Sequence, residues 1–316
     1  MHRIITAMND FFTKFLLFSM LSLAFLSSFS CSDSESSNSN PNLPENFLRG
    51  EVLNLDLNDS LVEVKILSQS DDISNKLSTR VGNNLSLQVQ PGDLALLSSK
   101  PVFRGKLQES FSSSAGKIHL LHNVWPDDPA ERIRVKNINR LLRRDTLSMG
   151  EAMIRSVGDN LPPFALYDQN GDIVTTDYFD GSVTILNFIF SRCSVAEMCP
   201  ASTMKMKKLQ ELVHKTKVPN IHFLSITLDP EFDSPGVLKS YARGYNLDES
   251  NFKFCTGEKK VIDDLTRQFG IRREATKNQP LDHTMRTMII NSRRQIVYQV
   301  PGRSWRVEDF LSRLQS

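Results

Sequence analysis

The stretch Phe188-Ile189-Phe190-Ser191-Arg192-Cys193-Ser194-Val195-Ala196-Glu197-Met198-Cys199-Pro200 joins the end of an apolar run to a loop with two cysteines. The run Val183 to Phe190 that leads into it is rich in β-branched and aromatic residues, as expected of a central strand covered on both faces. Pro200 suits the first turn of a helix, where its missing N–H costs nothing. The helix it opens carries Leu209, Leu212 and Val213 at apolar spacings of three and four. That reading puts Cys199 at a helix N-terminus, where backbone N–H groups and the dipole favour a thiolate. A thiolate attacks disulfides and binds soft metals.

Working outward, the chain has 316 residues, 40% hydrophobic and 23% charged, which is ordinary globular composition with room for two domains. The formal net charge of +2 comes with no basic block, so no nucleic acid is expected as a partner. Arg3 and Lys14 precede an uncharged apolar run from Phe15 to Phe29, and Cys31 follows. This reads as a secretory signal over residues 1–30. Ser28 and Ser30 before Cys31 resemble a bacterial lipoprotein cleavage site, with Cys31 as the lipidated residue; Ser28 stands where such sites usually have Leu. Ordinary cleavage and an uncleaved N-terminal anchor stay open. Each places the folded part outside the cytoplasm, where a close cysteine pair can oxidise.

Residues 31–46 are rich in Ser and Asn and read as a flexible tether. From Phe47 short strands are expected at Leu48 to Leu55, Leu61 to Leu67, Leu85 to Val89, Leu94 to Ser98, Val102 to Leu107 and Ile118 to Val124. Together they predict a small all-β barrel over 47–126. His119 and His122 are three apart on one strand and so face opposite ways, which argues against a shared metal site. Residues 127–157 are charge-dense with helical apolar spacing and read as a helical linker. Its Arg140, Arg143 and Arg144 read as a solvated face or a contact for acidic groups.

From Gly158 to the end, strands alternate with helices. A strand and turn at Phe164 to Asp172 has Gly171 to supply positive φ. The Val183 strand, the cysteine loop and its helix follow, then a strand at Ile221 to Leu228. Ser234 and Pro235 open another helix. A strand holds Cys255, read as a buried inert thiol. A helix around Val261 and Leu265, a hairpin over Thr284 to Val300 and a helix from Val307 to Leu314 end the chain. This predicts an α/β domain over 158–316, a mixed sheet with flanking helices in the thioredoxin arrangement.

These residues resemble the SCO/SenC proteins, thioredoxin-fold copper chaperones. The marks are the Asp168 to Gly171 turn, Cys193 after its strand, Cys199-Pro200, Leu228-Asp229-Pro230-Glu231 with Asp233-Ser234-Pro235, and Asp282-His283-Thr284 before the hairpin. The family usually has three residues between its cysteines; here there are five, Ser194 to Met198. The barrel is similar to small copper-binding barrels sometimes fused to such proteins, without their methionine-rich loop.

Two thiolates and one imidazole make a soft site of the kind that holds copper. The resemblance implies Cys193, Cys199 and His283 as ligands, with Asp282 orienting the imidazole. It further implies delivery of copper to an apo-cytochrome c oxidase subunit for its CuA centre, by a protein held to the membrane through a lipid anchor or N-terminal segment. The expected compartment is the bacterial cell envelope, on the periplasmic side. Met198, Met204 and Met206 offer thioethers, the last two at core spacing. Asp229, Glu231 and Asp233 read as a charged docking edge or a solvated loop. Two other functions fit the residues: a thiol–disulfide oxidoreductase working through Cys193 and Cys199, and a binding lipoprotein in which the pair is a structural disulfide.

Overall fold

The structure, a computed structural model, describes residues 43–76, 80–108, 112–113, 116–117, 119–274 and 282–315. The expected signal, the tether up to Asn42 and Cys31 lie outside the described residues. Among those described, no helix is long and apolar enough to cross a membrane.

Five strands close into a barrel: β1 (Phe47–Asp56), β2 (Leu61–Gln69), β3 (Asn84–Val89), β4 (Val102–Gln108) and β5 (His119–Pro126), in the order β1-β2-β3-β5-β4, with β4 returning to β1. Alternation along the strands sends Leu48, Val62, Val64, Leu87, Phe103 and Leu121 into its core, as period-2 patterning requires. Two helices interrupt the strands: α1 (Asp71–Lys76) and α2 (Pro91–Ser99). The expected strand at Leu94 to Ser98 is therefore a helix. Pro91 sits in its first turn, and Leu94 and Leu97, three apart, share the buried face with Leu96. An apolar run of five residues fits either period, and here the helix start signal at Pro91 wins.

Helix α3 (Pro129–Ser148) follows, capped by the Asp128 side chain, which accepts from the Glu131 N–H at 2.8 Å. It ends well before Val157, so the expected linker is helical only in its first two thirds. Nor is its basic face simply solvated: Arg143 pairs with Asp264 at 2.6 Å, and Asn139 bonds both backbone groups of Ala165 at 2.9 Å.

The rest of the chain builds a seven-stranded mixed sheet. Its strands are β6 (Ala165–Asp168), β7 (Ile173–Thr175), β8 (Val183–Ile189), β9 (Ile221–Thr227), β10 (Phe252–Thr256), β11 (Arg286–Ile290) and β12 (Ile296–Pro301). The order is β12-β11-β8-β9-β10-β6-β7. The β8, β9 and β10 strands run parallel, and β11 joins β8 antiparallel. Helices α4 (Cys199–Thr216), α5 (Pro235–Gly244), α6 (Lys259–Gln268) and α7 (Val307–Gln315) connect and flank them. Phe188, Ile189, Met206, Leu224, Leu238, Leu265 and Phe310 belong to one continuous core. The turn before β7 has Gly171 at φ +76°, as expected.

Barrel and sheet share a junction. Trp125 of β5 meets Tyr167 of β6 edge to face at 6.0 Å, with Val135 and Ala165 packed alongside. At a second point the first turns of α2 and α5 approach backbone to backbone: a Cβ on Gly92 would lie 1.9 Å from the Gly236 carbonyl. Only glycine permits that approach. Asp93 is enclosed there, and burial pushes its carboxyl up to about 7.

Candidate metal centre

The central strand β8 carries the chain into the interior, and Phe190 beyond it is still fully buried. The backbone then turns outward at Ser191, and Asp233, 0% exposed, holds that turn. Its carboxylate accepts from the Ser191 N–H at 3.1 Å, from the Ser191 hydroxyl, and from the Thr227 hydroxyl at 2.5 Å. Burial, only partly offset by these bonds, pushes Asp233 up to about 6. The expectation that Asp233 joins a charged docking edge is thus overturned, because it ties the cysteine loop to the end of β9 from inside. The Asp229 side chain is itself only 12% exposed, and it holds Arg192 at 2.7 Å while that guanidinium lies 4.5 Å from the Phe232 ring. The Ser234 hydroxyl, at the expected N-cap of α5, makes no capping bond.

Between the cysteines, Met198 N–H bonds to the Val195 carbonyl at 3.0 Å, closing a turn inside the five-residue spacer. Helix α4 begins at Cys199 with Pro200 in its first turn. Cys199 is buried and Cys193 half-buried, and both are free thiols.

His283 arrives from a distant part of the chain. It sits in a two-residue strand, Asp282–His283, paired with Arg273–Glu274. The Thr284 N–H donates to the Arg272 carbonyl and the Arg272 N–H to the Thr284 hydroxyl, both at 2.9 Å. The imidazole packs edge-on to Phe190 at 5.3 Å. Its Nδ1–H donates to the Thr284 carbonyl at 3.0 Å, leaving the Nε2 lone pair 3.3 Å from Cys199 Sγ. Cys193 Sγ, Cys199 Sγ and a ring nitrogen of His283 all lie within 4.8 Å of one another. Among the described residues this is the one such group of Cys, His and acidic side chains able to hold a metal ion. The side chain of Asp282 lies outside the described residues.

The electrostatics assign the two sulfurs different roles. A hydrogen bond from the Cys199 thiol, with further bonds from backbone groups, outweighs burial and holds the Cys193 thiol far below the ordinary cysteine range. The same bond, burial and the Cys193 charge push Cys199 up. The thiolate expected at Cys199 therefore belongs to Cys193. A helix N-terminus contributes about 1 kcal/mol, whereas burial shifts a thiol by several times that. Reaction with iodoacetamide, followed by peptide mass spectrometry, is expected to label Cys193 first, at a rate already near its plateau at about pH 6.5. Labelling that rises about tenfold per pH unit up to about pH 8.5 would contradict a Cys193 thiolate. Cys255, completely buried with its thiol pushed up by burial, is expected to stay unlabelled in the folded protein.

Of the methionines, Met206 is in the core as expected, but Met204 is 53% exposed. Three residues were not singled out as part of the site from sequence: Ser191, Thr227 and Arg273. Arg273 donates to the Leu228 carbonyl and pairs with Asp263, bracing the segment opposite His283. No local motif marks them, since each acts through a partner remote in sequence.

The SCO1/SenC family model matches residues 154–316, just over half of the chain. An SCO2-like protein of Rickettsia prowazekii is 32% identical over 135 residues, covering 41% of this chain and 63% of the relative. An SCO1 protein homolog of Bacillus subtilis is 37% identical over 97 residues, 30% of this chain and 48% of the relative. The chain thus spans less than two thirds of these relatives' length. A SCO1/SenC family lipoprotein from Bacillus anthracis superposes with a TM-score of 0.47 at 24% identity, covering 52% of this chain and 98% of that one.

Proposed function

The chain belongs to the SCO1/SenC family, and on that premise we propose that it is a copper chaperone of the cell envelope. Copper, its cargo, is held by Cys193, Cys199 and His283 and handed to an apo-cytochrome c oxidase subunit, at the CuA site. The observation that carries this reading is the convergence of two sulfurs and one imidazole nitrogen within 4.8 Å, with Cys199 and His283 buried. Two soft thiolates and a borderline imidazole select copper over hard cations. One sulfur is already acidified, so metal binding displaces a proton chiefly from Cys199. The C-terminal sheet reads as thioredoxin-like, with β8, α4 and β9 forming its core unit and β11–β12 its closing hairpin. The oxidase subunit as recipient and the periplasmic side of the membrane come with the family and with the N-terminal signal, whose Cys31 would carry the lipid.

Thiol–disulfide exchange is the second reading. What favours it is the acidified, half-exposed Cys193 beside a buried Cys199, an attacking and a resolving thiol. Such a reaction has no use for His283. The two readings separate in an anaerobic titration of the reduced, detergent-solubilised full chain with Cu(I) against a competing chelator. Tight binding of about one equivalent, lost in the Cys193→Ser/Cys199→Ser double variant, is expected. Weak binding indifferent to the double substitution would replace the copper reading with the redox one.

A further inference from the structure

His283 also lines a cavity of about 430 Å³ whose wall includes Met198, Arg272, Met285, Arg286 and Arg303. Among the described residues no carboxylate lines it and none of its three arginines is ion-paired. Arg286 donates to the Arg155 carbonyl at 3.2 Å and to Gln299 Oε1 at 3.1 Å, both uncharged acceptors. Arg272 and Arg303 are exposed. Elsewhere on this domain several arginines are matched, Arg192 with Asp229, Arg273 with Asp263 and Arg294 with Asp177 and Asp180, while among the described residues Arg267 bonds only to backbone carbonyls. Three guanidinium groups without an ion pair among the described residues thus share one cavity with His283.

Their sign matters for what can enter. A wall of unpaired arginines repels a hydrated copper cation and concentrates anions, changing encounter rates by about 10- to 1000-fold. Guanidinium groups also present paired N–H donors that fit carboxylates. Met198 and Met285 line the same cavity, and thioethers accept Cu(I) without competing with thiolates for it.

We propose that this arginine-walled cavity is a receiving port for copper bound in a small anion that bears carboxylates. The inference rests on the copper reading above and names the chemical class of the donor. The step is a ligand exchange with no change in oxidation state. Bonds from Cu(I) to the donor's atoms break and bonds to Cys193, Cys199 and His283 form. The proton leaving Cys199 passes to the freed donor or to water.

Two Cu(I) complexes with the same kind of aromatic diimine donor but opposite charge test it: the carboxylate-bearing bicinchoninate complex, which is anionic, and the neocuproine complex, which is cationic. Transfer to the reduced full chain is followed anaerobically by the loss of each complex's colour. In Arg272→Gln/Arg303→Gln the ratio of the bicinchoninate rate to the neocuproine rate is expected to fall about tenfold. Free citrate is expected to slow the bicinchoninate transfer in the wild type and not in that variant. Arg272→Lys/Arg303→Lys, which keeps the charge, is expected to restore most of the ratio, so that a folding defect is not mistaken for the effect. An unchanged rate ratio in the glutamine variant, or equal inhibition of wild type and variant by citrate, overturns the port. A wild-type chain that takes copper from neither complex would instead overturn the copper reading.

Discussion

His283→Ala is expected to weaken copper binding by more than about a hundredfold while leaving Cys193 and Cys199 able to cycle between dithiol and disulfide. Loss of a mere outer partner of a metal ligand already costs about 10- to 100-fold, and His283 is proposed as a ligand itself. Its Nδ1–H is committed to the Thr284 carbonyl, so the free lone pair on Nε2 points at the sulfurs. The ring cannot easily turn away, being buried and packed on Phe190. The measurement is competitive titration of copper into wild type and variant, beside a thiol count before and after mild oxidation. An affinity equal to the wild type's would remove His283 from the site, and the cysteine pair alone would have to account for the chemistry.

Asp233→Ala is expected to cost about 3 kcal/mol or more in stability. It strands the buried Ser191 N–H, together with the Ser191 and Thr227 hydroxyls that bond to the carboxylate, and each stranded buried group costs about 1–3 kcal/mol. Because Ser191 lies two residues before Cys193, copper affinity should fall as well. Urea midpoints read the first effect and copper titration the second; an unchanged midpoint would sink the assignment. The pH dependence carries a definite sign. Burial holds Asp233 at about 6 and Asp93 at about 7, against about 3.9 in the unfolded chain. Between about pH 4 and about pH 7 the folded protein therefore keeps protons that the unfolded chain has released, so stability falls as pH rises through that window. Asp233→Asn removes one of the two contributions and should flatten the slope. A slope unchanged in Asp233→Asn would mean that Asp233 does not titrate in that range.

Much of the site was legible along the chain. The apolar run of β8, the proline after Cys199 and the Ser234-Pro235 helix start are local signals, and local signals report the element that follows them. Misreadings occurred where local evidence was balanced or silent. Leu94 to Ser98 is apolar enough for either period, and the Pro91 helix start together with packing of α2 on α5 through Gly92 and Gly236 settles it as a helix. Met204 has core spacing, yet it points away from the sheet that buries Met206. Asp233 belongs to an acidic run that reads as surface, and nothing nearby announces that Ser191, 42 residues earlier, will bond to it.

By itself the sequence determined which residue types were available and which stood at element ends: two cysteines about a loop between strand and helix, and a histidine before a hairpin. Those follow from turn and cap chemistry, which acts over a few residues. Tertiary structure alone decided that His283, 84 positions from Cys199, would sit 3.3 Å from its sulfur. It also decided that Cys193 and not Cys199 would carry the charge, and that arginines without an ion pair among the described residues would share one cavity with His283. Burial, the proximity of one charge to another and the pairing of strands remote along the chain are properties of the folded arrangement, and no short stretch of sequence encodes them.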